Sequence, residues 1–201
     1  MRRSREEAAE TRRNILETAS RLFRARGIAP VSVADVMAAL GLTVGGFYRH
    51  FASKEALVAE AIEAASLETV ARHGPTERGA ARGRRASALL DAYLSHAHRD
   101  HPEHGCPVAA LCSEVAHERP STKEAFTRAL GRLLAIVGDG AKGESREARD
   151  RRLRIAASIV GAVVLARATS DAKVADDVLD AVRRGAQRDA RRRRPATSQR
   201  T

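Results

Sequence analysis

Hydrophobic residues recur along most of this chain with the three- to four-residue spacing of helices that are apolar on one face. The spacing predicts a first helix that ends at Gly27, with Ile15, Ala19 and Phe23 on its buried side. It also predicts helices near residues 53–73, 82–101, 107–118, 121–137, 145–169 and 171–190. Ser121 and Glu124 form a capping-box pattern for the helix expected over 121–137. Because no alternating strand pattern stands out, we expect an all-α protein of about nine helices.

Residues 33–51 have the pattern of two short helices joined at a glycine. The first carries one apolar face, and Ser32 with Asp35 makes a capping-box start, whereas Gly41 supplies the turn. We expect Leu42, Phe47 and Phe51 to pack back onto that face. The residues left facing outward are Thr43, Val44, Gly45, Tyr48, Arg49 and His50. A helix-turn-helix of this kind places its second helix in the major groove of DNA.

Two stretches carry a resemblance to a known family. GLTVGGFYRHFASKEAL (41–57), preceded by TRRNILETASRLFRARG (11–27), resembles the N-terminal domain of the TetR family of bacterial transcription repressors. The resemblance covers roughly the first 60 residues. It implies a homodimer on a near-palindromic operator in double-stranded DNA, with Tyr48, His50 and Lys54 on phosphates. The resemblance also implies base-edge or methyl contacts from Thr43, Val44 and Ser32, and a contact of either kind from Arg49.

The chain divides into an N-terminal helix-turn-helix domain (1–54) of three helices, a connecting fourth helix (53–73) and a larger domain (74–190). The Arg-rich tail (191–201) is expected to be disordered. Segment Ile155–Ala166 is apolar almost all round, so it needs covering on more than one side. We therefore expect a homodimer formed through the helices near 145–169 and 171–190, as an intersubunit four-helix bundle.

The resemblance also implies a cavity in the larger domain for an unknown small-molecule effector, because that is where the family holds its ligands. Six residues are candidates to line it: Leu89, Tyr93, Leu111, Val115, Phe126 and Leu130. Taken alone, these residues fit an ordinary helical core equally well. No cofactor is expected.

The net charge of +11 suggests a polyanionic partner, but residues 183–201 supply +7 of it, with eight Arg and one Asp. Charge therefore supports DNA binding only weakly. Two cysteines fit a reducing cytoplasm, and the longest apolar run is shorter than the about 20 residues of a membrane span. We expect a soluble cytoplasmic protein without a membrane partner.

Cys106 precedes Pro107 and is expected to be the N-cap of a helix, where the helix dipole favours a thiolate. Two interpretations stay open: a redox or electrophile sensor, or a small packed cap. Four histidines lie within residues 96–104, but His96 and His98 diverge on a helix and Pro102 interrupts the segment, so no metal site is expected. No catalytic motif occurs, so an enzyme is not expected.

The sequence therefore predicts a ligand-responsive repressor. Effector binding is expected to tilt the fourth helix and change the separation of the two DNA-reading heads. The alternative is a helical small-molecule-binding protein or enzyme whose basic tail adheres nonspecifically to nucleic acid or membranes.

Overall fold

The computed structural model describes residues 2–73, 82–138 and 144–191. These residues form ten α-helices and one 3₁₀ turn, and no strand occurs among them. The expected all-α fold is confirmed. The helices are α1 (Arg2–Arg26), α2 (Val33–Ala38), α3 (Val44–Phe47), α4 (Lys54–His73), α5 (Arg82–Tyr93), α6 (His96–Asp100), α7 (Pro107–Val115), α8 (Pro120–Val137), α9 (Arg146–Ala168) and α10 (Ala172–Arg191), with the 3₁₀ turn at Pro102–His104. Most of the predicted tail, residues 192–201, lies outside the described residues.

Several predicted boundaries are wrong. The helix expected over 82–101 is divided, since α5 ends at Tyr93 and α6 begins at His96. Ser95 Oγ donates to the carbonyl of Ala92 (2.8 Å), a local bond that competes with helix continuation. The helix expected over 107–118 ends at Val115. Ser121 is not an N-cap, because α8 begins at Pro120, which suits a first helical position, and the Ser121 hydroxyl donates to Glu55 instead.

Among the described residues, one compact unit comprises 2–73 and 97–133. Within it α1 packs against α4, α2 and α7. The predicted inner face of α1 is confirmed, because Ile15, Ala19 and Phe23 are all buried. Gly27 adopts a positive φ of 92°, which ends α1 at the expected place. Ser53 caps α4, as its hydroxyl accepts the Ala56 N–H (3.1 Å).

Among the described residues, the other compact unit comprises 82–96, 134–138 and 144–191. In it α10 packs against both α9 and α5. The apolar segment of α9 is buried on one side by this unit's own helices, with Ile155, Ile159 and Val163 inside. Its other side is exposed at Leu165, which is 61% accessible. Within the described residues, no helix is both long and apolar enough to cross a lipid bilayer.

Candidate nucleic-acid interface

The start of α2 is fixed by the predicted capping box. Ser32 Oγ accepts the Asp35 N–H (3.1 Å), and Asp35 Oδ2 accepts the Ser32 N–H (2.7 Å). Hydrogen bonds from the side chain and backbone of Ser32 lower the pKa of Asp35. The Ser32 side chain is exposed but already serves as the cap, so a contact to a base would share its hydroxyl with the helix.

The turn to α3 has the geometry expected of a helix-turn-helix. Gly41 has a φ of 68°, and the Leu42 N–H donates to Met37 O (2.9 Å). Thr43 is the N-cap of α3, yet its side chain makes no capping hydrogen bond. Its exposed hydroxyl is therefore not used by the helix that it begins.

The predicted outward face of α3 is exposed. Val44 is 43% and Tyr48 is 66% accessible, and Thr43, Gly45 and Arg49 are exposed too, while His50 is half-buried. A Cβ added to Gly45 would meet no atom within 4 Å. Neither packing nor backbone conformation in the protein requires glycine at this position.

Two buried aromatic rings support α3 on the side away from solvent. Phe47 is fully buried and Phe51 is 3% accessible, with stacked ring centroids 5.6 Å apart. Tyr48 makes a T-shaped contact with Phe47, with ring centroids 5.2 Å apart, and remains 66% accessible. Leu42, which the sequence pattern assigned to the core, is instead 39% accessible, because it immediately follows the left-handed Gly41 turn.

Arg12 of α1 holds the end of the α3 segment. Its Nη2 lies 2.8 Å and 2.7 Å from the two carboxylate oxygens of Glu60 on α4. Its Nε donates to the carbonyl of His50 (3.3 Å), and its guanidinium lies 4.4 Å from the centre of the Phe51 ring. One side chain thus joins α1, α4 and the residues that follow α3.

Lys54, expected on a phosphate, also has partners inside the protein. Its Nζ donates to the carbonyl of Ile28 (2.7 Å) and lies 3.5 Å from that of Ala29. An ammonium has three donors, so a phosphate contact remains compatible with this position.

The six candidate effector residues fall in both compact units. Leu111 and Val115 on α7 are buried in the first unit, where Phe126 and Leu130 on α8 are half-buried. Leu89 and Tyr93 on α5 are buried in the second unit. Their assignment to an effector cavity stays a prediction.

Cys106 is the N-cap of α7, with Pro107 in the first helical position, as expected. Its side chain makes no capping hydrogen bond and is 4% accessible, whereas Cys112 is half-buried. The Cys106 N–H donates to His98 Nε2 (3.0 Å). This gives one residue of the histidine-rich segment a structural role. Among the described residues, no three His, Cys, Asp or Glu side chains are grouped as metal ligands would be.

Several positioning residues were missed from the sequence: Arg12, Arg24 and Glu114. Arg12 lies three residues before Ile15, on the apolar face of α1. A charged residue on an otherwise apolar face could have identified it as a positioning residue from the sequence. No sequence signal identified Arg24 or Glu114, because their partners lie 81 and 86 residues away along the chain.

Comparison with known proteins agrees with this geometry. Residues 15–61 match the family model described as bacterial regulatory proteins, tetR family. The HTH-type transcriptional regulator TtgR of Pseudomonas putida is 47% identical over 58 residues. This match covers 29% of the chain and 28% of the length of TtgR.

Solved structures extend the likeness beyond the N-terminal helices. A TetR transcriptional regulator from Chloroflexus aurantiacus is 26% identical, with a TM-score of 0.72, covering 91% of this chain and 95% of its own. The reduced form of Escherichia coli NemR shares the fold at 18% identity, with a TM-score of 0.71 and coverage of 89% and 96%.

Proposed function

Because this chain belongs to the TetR family of bacterial regulatory proteins, we propose that it is a ligand-responsive, DNA-binding transcriptional repressor. The observation that carries the proposal is the exposed face of α3 (Val44–Phe47), which is supported on buried rings and begins at a Thr43 hydroxyl that caps nothing. A short helix presented in this way suits the major groove.

The DNA contacts divide by chemistry. We propose that Tyr48, His50 and Lys54 bind phosphates and set the register of the protein on the duplex. Thr43 and Val44 read base edges and thymine methyl groups, Ser32 contributes from its cap, and Arg49 serves either purpose. Gly45 allows the backbone of α3 to approach the DNA closely. The open space around its absent Cβ supports this role, since the protein's own packing does not demand glycine there.

The regulator acts as a homodimer in this proposal. Large apolar side chains remain exposed on α9 and α10 of a single chain, at Leu153 (42%), Leu165 (61%) and Val174 (47%). Smaller residues share the exposed surface of these helices, including Ala157 on α9 and Ala181 on α10. A second copy that covers α9 and α10 would complete a four-helix bundle. It would also present two copies of α3 to major grooves about 34–36 Å apart.

The proposed effector is a small molecule bound near Leu111, Val115, Phe126 and Leu130 of the first compact unit. These side chains are mainly apolar, which favours a largely apolar ligand. Binding would change the tilt of α4 and so the separation of the two heads, because only one separation fits successive grooves.

Cys106 is a proposed electrophile- or redox-responsive position within the same regulator. Its place as the N-cap of α7, where the helix dipole favours a thiolate, supports this proposal. Its 4% accessibility requires local opening before a reagent reaches it. Alkylation by iodoacetamide, followed by mass spectrometry, should label Cys106 faster than Cys112. The opposite order would leave Cys106 as a packed helix cap.

Selection of bound sequences from random duplex DNA tests the proposed function. We expect enrichment of a near-palindrome whose half-sites lie about one helical turn, or a multiple of it, apart. Binding without sequence enrichment would contradict the proposal and favour a nonspecific role for the basic tail.

A further inference from the structure

The turn between α1 and α2 sets the direction in which the chain enters the helix-turn-helix. Gly27 directly follows α1 and has a φ of 92°, and its N–H donates to Phe23 O (2.8 Å). Ile28 and Val31 then bury their side chains, at 3% and 1% accessibility. Ser32, the cap of α2, follows directly. A change in backbone conformation at residues 27–29 therefore occurs only a few residues before α2 and alters the position of that helix.

Two opposite charges hold the peptide groups of this turn. Glu114 Oε2, from α7, accepts the N–H groups of Ile28 (2.6 Å) and Ala29 (3.1 Å). Lys54 Nζ, from the first residue of α4, donates to Ile28 O (2.7 Å). Charged partners make these hydrogen bonds stronger than neutral ones. The turn is thus held on its donor side by α7 and on its acceptor side by α4.

Gly27 is required for this arrangement in two ways. Its positive φ is one that side chains rarely adopt. In addition, a Cβ at residue 27 would lie 2.5 Å from Glu114 Oε1 and 3.0 Å from Glu114 Cδ. The carboxylate reaches the turn only because residue 27 has no side chain.

The position of Glu114 on α7 gives the contact a second significance. Leu111, one helical turn earlier, and Val115, the next residue, are candidate effector residues on the same helix. A shift of α7 that accommodates a ligand would carry the Glu114 carboxylate with it. Hydrogen bonds weaken beyond about 3.2 Å, so a displacement of about 1 Å would break the contact to Ala29.

We propose that Glu114 is a positioning residue that couples α7 to the DNA-reading helices. With both N–H groups bound, the turn keeps α2 and α3 in the orientation that binds the operator. Withdrawal of the carboxylate releases the turn and lowers operator affinity. This inference rests on the proposed function, and it assigns a specific route by which a ligand bound beside α7 affects the helix-turn-helix.

Three Glu114 variants and one control of matched charge test the coupling. Glu114→Ala removes the acceptor, Glu114→Asp keeps the charge but shortens its reach, and Glu114→Gln keeps an acceptor oxygen. Glu118→Ala is the control, since its side chain makes no hydrogen bond or ion pair within the described residues. For each full-length variant, without added effector, we would measure affinity for the selected duplex and for a shuffled duplex. Exchange of the Ile28 and Ala29 amides and urea unfolding would be followed in parallel.

We expect Glu114→Ala and Glu114→Asp to lose about tenfold or more in affinity for the selected duplex. Affinity for shuffled DNA should stay unchanged, and the amides of Ile28 and Ala29 should exchange faster. Glu114→Gln, which keeps an acceptor oxygen but not the charge, should lose less affinity than Glu114→Ala, and Glu118→Ala should remain close to wild type. Because affinities are taken per folded molecule, a purely structural role would lower stability without changing the ratio of selected to shuffled binding.

Two results would overturn the coupling while leaving the proposed function intact. One is an unchanged affinity ratio in Glu114→Ala or, if that variant does not fold, in Glu114→Asp. The other is unchanged exchange of the Ile28 and Ala29 amides. A wild-type protein that selects no sequence is a different failure, because it would contradict the proposed function and this inference with it.

Discussion

The buried guanidinium of Arg24 on α1 donates to the main-chain carbonyl of Gly105, 81 residues further along the chain, over 2.8 Å. The same side chain is 2% exposed, contacts Glu68 of α4 at 3.1 Å and donates to Ser20 O. Burial lowers the pKa of Arg24, although Glu68 opposes this effect. The contact joins α1 to the residue before the N-cap of α7, so it helps fix α7 relative to α1.

Removal of the Arg24 side chain should therefore destabilise the protein. Arg24→Ala would leave the Gly105 carbonyl without its charged donor, and we expect the free energy of unfolding to fall by about 2–3 kcal/mol. Arg21→Ala, at an exposed position of the same helix, should change it by less than about 0.5 kcal/mol. Urea denaturation compares the two. Equal effects would show that the buried contact adds nothing to stability.

We expect Gly45 to lower the unfolding free energy of the protein and to raise its affinity for DNA. Gly45→Ala adds a methyl group in open space on a helix, so we expect a gain of about 0.5–1 kcal/mol in unfolding free energy. Affinity for the selected DNA site should nevertheless fall, because the methyl group would stand between α3 and the duplex. Gly131→Ala on α8 is the matched control, with equal open space. It should stabilise the protein and leave DNA affinity unchanged. If Gly45→Ala binds as tightly as wild type, close approach of the backbone is excluded.

Leu165 provides a test of the dimer interface. Leu165→Asp places a charge on the exposed side of α9, and sedimentation should show monomers that no longer bind the selected site. Leu67→Asp alters a comparably exposed leucine on α4, 54% accessible, and should remain dimeric. Val163 does not suit this purpose, because it is fully buried within a single chain and a charge there would disrupt the fold. Dimers of Leu165→Asp would refute this interface.

Glu63 gives the fold a defined acid sensitivity. Burial opposes its ionisation, but hydrogen bonds from Arg128 and Arg132 outweigh that effect and lower the pKa of Glu63 below its ordinary 4.5. Since the unfolded chain then binds the proton more tightly, the stabilisation is present above pH 4.5 and is lost as pH falls through the lowered pKa.

We expect Glu63→Gln to be less stable than wild type at neutral pH, with the difference shrinking on acidification below pH 4.5. Unfolding free energies measured across that range test this. Glu124→Gln, at an exposed position on α8, is the control and should follow wild type throughout. A Glu63→Gln deficit that did not change with pH would contradict the assigned cause.

The parts of the fold that depend on local chemistry were predictable from the sequence. The Ser32 capping box, the Gly27 and Gly41 turns and the inner face of α1 follow from short-range spacing. The outward face of α3 also followed from periodicity. Leu42 was misassigned because the left-handed turn at Gly41 redirects the chain by an amount that helix periodicity does not encode.

Contacts between distant residues could not be predicted in this way. The bonds from Arg24 to Gly105 and from Ile28 to Glu114 join residues 81 and 86 positions apart, and a charged residue in one helix does not specify its partner in another. Val163 shows the same limit for apolar residues. Its segment is hydrophobic on every side, so periodicity alone did not separate the side buried within the chain from the side left exposed.

In the proposed complex α3 reads DNA sequence, while residues around it bind the DNA backbone. Lys54→Ala should weaken binding to every duplex and reduce the salt dependence of affinity by about one unit of slope. Loss of its contact to Ile28 should in addition lower affinity for the selected duplex, so the phosphate contribution is measured on the shuffled duplex, and Lys123→Ala, at an exposed lysine on α8, is the control for lost charge.

Thr43→Ala tests sequence reading by α3 through the ratio of affinities for the selected duplex and for a shuffled duplex, compared with wild type. Since the Thr43 hydroxyl caps no helix, its loss should leave the fold and the shuffled-duplex affinity intact. We predict that the ratio falls about fivefold or more, as expected for a lost base contact worth about 1–3 kcal/mol. An unchanged ratio, or equal weakening on both duplexes, would contradict the assignment of α3 as the sequence-reading helix.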